Sequence, residues 1–438
     1  MRRILDNIVI CALLLAFMLS VMDYNSNLVH QFDSIKWYTL GGSLVYGLFY
    51  QRKHAVLTSR GISGPHLYWL LFIVVAGIST VVNSVVTAPI EAFLRLSSFV
   101  GLYLLAFWLA FPHNPLQRIS QWTAILSLLS YSVVLLSTPW LSPWAQMAGN
   151  RLRGVTSTAN TLGTFAAIAG LAALGNIVAT NTSWAKAIMY GALLSASSVC
   201  MYNAGSRSAL LGFFGGCLVV ASIRVSRRLL CCILLLSVCG IGILAFHSSA
   251  DMHSLLQSVE TLLFWRPIEI DSSRSVIWQT HMHLFSTAPL VGHGLVIDLY
   301  NGGRTSGESS YTDILASTGC IGGGAFAFAI GFGMIALAKV LKRTRRVVTQ
   351  LDISIQVTNA AAIVACILVN SVGEGYMAAV GSAPTIFCWV ILGAAIEDRW
   401  SVWKPVVKQR SASPIQLPEV CGKSRSYFRP ARPSCIPK

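Results

Sequence analysis

The chain has 438 residues, of which 54% are hydrophobic and only 11% are charged, with a formal net charge of +16. Soluble domains usually carry roughly 25% charged residues, so this composition excludes an ordinary soluble protein and indicates a helical integral membrane protein. The basic residues fall between apolar runs and in a tail, where membrane topology explains them. We therefore do not infer a nucleic-acid partner.

The apolar runs predict an all-α fold, a polytopic integral membrane helix bundle of about 12 transmembrane helices. The predicted spans are 8–22, 37–50, 67–86, 92–111, 121–141, 158–179, 185–203, 208–223, 229–246, 312–338, 354–372 and 380–396. The first follows Arg2 and Arg3, but no small-residue cleavage site comes after it. We interpret it as a membrane span rather than a signal peptide.

The spans divide the chain into four predicted parts. Residues 1–246 carry the first nine helices, and 247–311 form one large periplasmic loop with short helices. Residues 312–396 carry the last three helices, and 397–438 form a basic, Pro/Ser-rich cytoplasmic tail predicted to be disordered. A long loop with structure of its own is usually functional.

Two short helices are predicted in the large loop. The first covers 254–264 and has the periodicity of a helix lying along the membrane surface. The second covers 274–287 and follows two serines suited to capping its start. Pro289, Gly292 and Gly294 are predicted to end it.

The distribution of positive charge predicts the topology. If Met1 lies in the cytoplasm, 24 of the 32 basic residues face the cytoplasm, as the positive-inside rule requires. The other eight face outward: Lys36, Arg95, Arg151, Arg153, Arg207, Arg266, Arg274 and Arg304. Seven of these are arginine, whose planar fork binds phosphate through paired hydrogen bonds. This pattern predicts an outer-face site for a lipid-linked phosphate or pyrophosphate.

Three of the candidate constellations contain outward arginines. Arg151 and Arg153 precede a predicted helix start, where the helix dipole adds partial positive charge. Arg207 lies between two serines in a short turn between spans. Arg274 falls in the first turn of the loop helix, where a cation opposes the dipole and calls for an anionic partner. The alternatives are anchoring to lipid head groups for the first, snorkelling for the second and a solvated helix face for the third.

The fourth constellation is Glu308-Ser309-Ser310-Tyr311 at the start of a span, followed by Gly319 and Gly322. A carboxylate at this boundary is a candidate general base, and Tyr311 is a secondary candidate. His293, between glycines in a predicted turn, and Glu374, at the outer end of a span, are further candidates. The alternative for Glu374 is an ordinary loop acid.

Five sequence features carry a family resemblance. They are R-x-R-G at 151–154 with Asn160 and Gly163, S-R-S-A-L at 206–210, S-R-x3-W at 273–278, P-L-V-G-H-G at 289–294, and E-S-S-Y with G-x-x-G at 308–322. In this order they resemble the O-antigen ligase superfamily, which holds O-antigen ligases, polysaccharide polymerases and some protein O-oligosaccharyltransferases. The first 140 residues match only as a hydrophobic pattern.

The resemblance implies a glycosyltransferase in the bacterial inner membrane, with its active site facing the periplasm. The implied donor is a glycan on undecaprenyl pyrophosphate, and the acceptor is a glycan or lipid. Arg151, Arg153, Arg207 and Arg274 would hold the pyrophosphate, and Glu308 would be the base. Family members usually have a His-Asn or similar pair where this chain has Glu308-Ser309. That departure favours a polymerase over an O-antigen ligase that transfers to lipid A core.

The sequence indicates neither a cofactor nor a metal. The eleven cysteines form no C-x-x-C pair, and no phosphate-binding glycine motif is present. His281 and His283 are two residues apart, so they point to different faces of a regular helix. A transporter of lipid-linked saccharides is the alternative from another class. It is disfavoured because the charge lies at span ends rather than at the bilayer midplane.

Overall fold

The structure is a computed structural model that describes residues 41, 42, 45, 64–83, 89–109, 115–138, 146–148, 151–179, 183–224, 273–295, 309–347, 351–375, 377 and 382–401. The elements in chain order are α1 (Gly64–Asn83), α2 (Pro89–Leu104, continued by a π-helix Leu105–Leu109), α3 (Pro115–Ser137), β1 (Gln146–Ala148), β2 (Arg151–Gly154), α4 (Ala159–Ile177), α5 (Trp184–Ala204), α6 (Arg207–Arg224), α7 (Ser273–Thr287), α8 (Ser310–Val347), α9 (Leu351–Asn370) and α10 (Ala383–Ser401).

The described part of the chain is a helical membrane protein. Five helices are long and apolar enough to cross a membrane: Pro65–Asn83, Pro115–Ser137, Ala159–Ile177, Ser310–Thr344 and Ile353–Asn370. Three shorter apolar helices accompany them: Phe93–Phe107, Arg207–Ile223 and Ala383–Glu397. The prediction of a helical membrane protein is confirmed. The number of spans and the periplasmic loop stay predictions, because 8–22, 229–246, most of 37–50 and the loop helix at 254–264 lie outside the described residues.

Helix α4 lies at the centre of the described bundle. It packs against α3, α5, α6 and α9, and most of its side chains are buried. Its sequence is rich in alanine and glycine. Between apolar helices in lipid, association depends on close packing of small residues rather than on a hydrophobic driving force. The small side chains of α4 therefore let four neighbours approach it closely.

The first arginine motif forms a β-strand, which departs from the predicted all-α fold. β1 and β2 pair antiparallel, with Ala148 opposite Arg151. Along β2 the exposure alternates: Leu152 and Gly154 are buried, whereas Arg151 and Arg153 are half-buried. The alternation places both arginines on one face of the strand, because successive residues of a strand point to opposite faces.

Helix α8 is interrupted at Gly319, whose φ is 63°. Residues 289–294, which we call the strap, bind the backbone on both sides of this break. The strap accepts from the amides of Cys320 and Ile321 at 2.8 and 3.2 Å, and it donates to the carbonyls of Ala316 and Ser317 at 2.9 and 2.8 Å. The P-L-V-G-H-G motif therefore supplies the hydrogen bonds that the interrupted helix lacks.

The strap and the interrupted part of α8 approach so closely that neither Gly292 nor Gly319 could carry a side chain. A Cβ atom at Gly319 would lie 2.3 Å from the carbonyl carbon of Leu290, and one at Gly292 would lie 2.4 Å from that of Ser317. Both glycines also have positive φ, at 63° and 70°. Helix α1 supports the same region, since Ser79 Oγ donates to Ser317 O and Asn83 Nδ2 donates to Gly292 O.

A buried ion pair joins α3 to α10 at the other end of the bundle. Arg118 Nη1 lies 3.0 Å from Glu397 Oε2, and the two side chains are 5% and 6% exposed. The prediction that the disordered tail begins at residue 397 is wrong for its first residues, because α10 continues to Ser401 and Glu397 is buried. Residues 402–438 lie outside the described residues.

Candidate functional site

Arg151 connects β2 to the starts of two helices. Its Nε donates to the carbonyl of Ala204 at 2.8 Å, and its Nη2 makes a longer contact with the carbonyl of Gly205 at 3.5 Å. Nη2 also donates to Oδ1 of Asn160, the second residue of α4. Arg207 begins α6 two residues after Gly205. The guanidinium of Arg151 is therefore fixed between the first turn of α4 and the turn that leads to Arg207.

The turn before α6 packs directly on α4. A Cβ atom at Gly163 would lie 2.7 Å from Cβ of Ser206, so this approach requires glycine. On the other side of the turn, Ser208 Oγ donates to Glu374 Oε1 at 3.2 Å. Ser206 and Ser208 are both buried, and their hydroxyl oxygens lie 3.4 Å apart. The S-R-S run thus connects α4 to the carboxylate of Glu374.

Glu374 also holds the start of α8. Its backbone carbonyl accepts from both N and Oγ of Ser310, at 3.2 and 2.9 Å. Ser310 Oγ in turn accepts from the amide of Met377 at 2.8 Å. We name the assembly the three-helix corner, because the first turns of α4, α6 and α8 meet in it. It comprises Arg151, Asn160, 204–208, Ser310 and Glu374.

The electrostatics of the three-helix corner favour an anion. Each helix N-terminus presents amide groups and a partial positive charge of roughly half a unit. Arg151 and Arg207 add two full positive charges. Among the described residues, the corner contains the carboxylate of Glu374, which is 9% exposed, and the first turn of α8 also carries Asp313. Arg207 is the first residue of α6, a position where an anionic partner is favourable because a cation there opposes the helix dipole.

The predicted convergence of the outward arginines stays a prediction. Arg151 bonds to the turn that leads into α6, whose first residue is Arg207, and Arg153 lies on the same face of β2 as Arg151. Arg274 is the second residue of α7, but its side chain is not among those that the structure describes. Arg95 has a different place: its Nη1 donates to the carbonyl of Leu295 at 2.7 Å, just after the strap.

The other candidates lie around the start of α8. Glu308 is outside the described residues and directly precedes Ser309 in the sequence. Tyr311 donates its hydroxyl to the carbonyl of Leu368 at 2.8 Å, which directs it toward α9. His293 Nε2 lies 2.8 Å from Thr287 Oγ1 and 3.0 Å from Leu284 O, so this imidazole is tied to the end of α7.

Sequence reasoning missed a polar connection behind the three-helix corner. Asn370 Nδ2 donates to Thr164 Oγ1 at 2.7 Å, and Thr164 Oγ1 donates to the carbonyl of Asn160 at 2.9 Å. Asn370 is the last residue of α9 and Thr164 lies in α4. Polar residues within or at the end of these apolar runs were the available signal, since buried polar groups in lipid require partners.

No group of three or more His, Cys, Asp or Glu side chains suited to a metal ion occurs in the described ranges. Among the described residues, the three-helix corner contains cations and amides, which bind anions, and the carboxylate of Glu374, with Asp313 nearby in the first turn of α8. Its donor set therefore fits a phosphate group better than a metal cation.

Comparison with known proteins agrees with the helical membrane fold. Residues 191–327 match the family model described as O-antigen ligase, Wzy_C. The match spans α5, α6, α7 and the start of α8, so it includes the S-R-S turn, the strap and the break at Gly319. This match supports membership of the chain in the O-antigen ligase superfamily, whose members are glycosyltransferase-like membrane enzymes acting on lipid-linked glycans. A search of curated proteins finds no match to the chain.

Proposed function

We propose that the protein polymerises glycan by transferring it from an undecaprenyl-pyrophosphate donor to a sugar hydroxyl, at the periplasmic face of the bacterial inner membrane. The observation that carries this proposal is the three-helix corner, where Arg151 and the start of α6 with Arg207 adjoin the start of α8. The family match supplies the reaction class.

The leaving group is the first demand of this reaction. As the bond from sugar to pyrophosphate breaks, negative charge grows on the phosphate oxygens, and preorganised cations stabilise it best in a site of low dielectric. Arg151 is held by three acceptors before any ligand binds. We propose that it binds the pyrophosphate together with Arg153, Arg207 and Arg274. The dipoles of α4 and α6 add to this field.

The attacking hydroxyl is the second demand, because it must lose its proton as the new glycosidic bond forms. We propose Glu308 as the base, since it precedes Ser309 and Ser310 at the start of α8. Glu374 is the next candidate: its carboxylate already lies in the three-helix corner and accepts from Ser208. His293 ranks below it, because its Nε2 is engaged at the end of α7.

Polymerase and ligase differ in the acceptor. A polymerase extends another carrier-linked repeat, whereas a ligase transfers the glycan to lipid A core. Glu308 in place of the histidine of the resembled ligases favours the polymerase. The ligase is the second candidate, because the matching family model is described as O-antigen ligase.

Deletion of the gene separates these functions through the surface and carrier-linked glycans. A polymerase defect leaves single repeat units, which is the expected result. Long chains that accumulate on the carrier would instead identify a ligase. Vesicles that contain the purified protein test the transporter alternative, since transport moves saccharide across the bilayer whereas the proposed enzyme leaves it on the outer face.

A further inference from the structure

His281 is a buried histidine that the proposed reaction has not used. It is 1% exposed, although it belongs to α7, where Trp278 is 38% exposed and Met282 is 48% exposed. Its Nδ1 lies 2.9 Å from Oγ1 of Thr312, in the first turn of α8. Its second ring nitrogen, Nε2, is buried and has no hydrogen-bond partner in the part of the chain that the structure describes.

The unused hydrogen-bonding capacity of Nε2 needs an explanation. A buried polar nitrogen without a partner destabilises the folded state, and native proteins tolerate such atoms mainly where they serve a ligand, a water molecule or catalysis. His283, two residues along, is exposed. An apolar residue at 281 would fill the same contact between α7 and α8 without this cost. A structural role in that contact therefore accounts for Nδ1 and leaves Nε2 unexplained.

The position of His281 relates it to the candidate site. Thr312 shares the first turn of α8 with Ser310, and its Oγ1 also lies 3.4 Å from the carbonyl of Ser309. Ser310 belongs to the three-helix corner through Glu374. His281 thus contacts, from α7, the same helical turn that Glu374 contacts from the segment after α9.

We propose that Nε2 of His281 binds a hydroxyl group of the saccharide substrate and places it against the first turn of α8. The threonine hydroxyl either donates to Nδ1 or accepts from it, which leaves Nε2 as a donor or as an acceptor. A sugar hydroxyl satisfies both states, because it donates and accepts. The hydrogen bond that the structure shows for His281 is to an uncharged hydroxyl. We therefore assign the sugar to His281 and the phosphate to the arginines of the three-helix corner. The saccharide identity of the ligand rests on the proposed function.

Two substitutions test the contributions of the two ring nitrogens separately. The amide of His281→Asn falls near Nδ1, so it keeps a partner for Thr312 and loses Nε2. The amide of His281→Gln reaches the position of Nε2 and gives up the bond to Thr312. We expect His281→Gln to retain most polymer formation and His281→Asn to lose at least tenfold at equal protein level. His283→Asn is the matched control on the same helix and should behave as the wild type.

A binding measurement keeps this inference distinct from the proposed function. The melting temperature of each full-length variant in detergent is recorded with and without the carrier-linked saccharide extracted from the deletion strain. We expect the saccharide to stabilise the wild type and His281→Gln but not His281→Asn. That pattern of stabilisation supports the inference about Nε2 even if no variant, and not the wild type either, forms polymer. Absence of polymer would overturn only the proposed function.

Three outcomes would overturn the inference about Nε2. In the first, His281→Asn forms polymer and responds to saccharide as the wild type does, which would leave a water molecule as the partner of Nε2. In the second, His281→Gln and Thr312→Val lose activity together with thermal stability while His281→Asn does not, which would identify a structural bond at Nδ1. In the third, the wild type itself is not stabilised by the saccharide.

Discussion

At the scale of single residues, Arg151 differs from an arginine that anchors a span to head groups. Its guanidinium is oriented by the carbonyls of Ala204 and Gly205 and by Asn160. A lysine ammonium is a compact point charge that cannot reproduce the planar fork. The orientation of Arg151, and not only its charge, therefore becomes the testable property.

We expect Arg151→Lys to reduce glycan polymerisation by on the order of tenfold or more, which corresponds to about 1.4 kcal/mol of transition-state stabilisation. Arg343→Lys, an exposed change near the end of α8, is the matched control and should leave polymerisation unchanged. The measurement is the chain-length profile of the glycan at equal protein level. Full polymerisation in Arg151→Lys would argue that this arginine is an anchor.

Glu308 and Glu374 are distinguished by the same kind of substitution. Removal of a general base commonly lowers the rate by on the order of 10²–10⁴-fold, so Glu308→Gln should abolish polymer while donor binding persists. Glu374→Gln keeps an oxygen that can accept from Ser208 and should retain more activity. Glu308→His should restore part of the rate, since the resembled ligases have histidine there. A normal rate for Glu308→Gln would transfer the role of base to Glu374.

At the scale of elements, the break in α8 depends on glycine at both contacting positions. We expect Gly319→Ala to destabilise the protein by roughly 2 kcal/mol or more, because alanine disfavours positive φ and its Cβ would meet the strap. Gly324→Ala in the same helix is the control, since its Cβ would meet nothing within 4 Å. The melting temperature in detergent is the measurement. Equal melting temperatures for the two variants would contradict the strap contact.

Hydropathy predicted the start of a helix well where a capping residue directly precedes the apolar run. The predicted span 158–179 is helix Ala159–Ile177, and Thr158 caps it by accepting from the amide of Thr161. Three helices with proline at or next to their first residue were predicted to start too late, namely α1 near Pro65, α2 at Pro89 and α3 at Pro115, whereas α10, with Pro384 as its second residue, was predicted to start too early. Proline suits the first turn of a helix because its missing amide would be unpaired there. Hydropathy alone overlooks this signal.

The candidate site was predictable in its residue types and less so in its contacts. Arginine chemistry indicated that Arg151 and Arg207 belong to one site. The contact of Ser208 with Glu374 joins residues 166 positions apart, and no local pattern encodes such a distance. The pairing of β1 with β2 was missed, although Gly149-Asn150, which stands between them in the sequence, has a composition typical of two-residue turns.

At the scale of the whole molecule, the membrane orientation is the prediction on which the site depends. We expect reporter fusions within 250–300 to behave as periplasmic, and fusions near Arg227 and Arg345 to behave as cytoplasmic, because 24 of 32 basic residues lie on that side. Fusions within 250–300 that behave as cytoplasmic would place the three-helix corner on the wrong face for a periplasmic enzyme.

The two partners of the ion pair between Arg118 and Glu397 are synthesised at widely separated times. They are 279 positions apart, so a ribosome that adds about 5–20 residues per second needs roughly 15 to 55 s to supply the carboxylate after the arginine. During that interval α3 is in place without this partner from α10. A chain that stops short of Glu397 therefore retains Arg118 without this carboxylate partner.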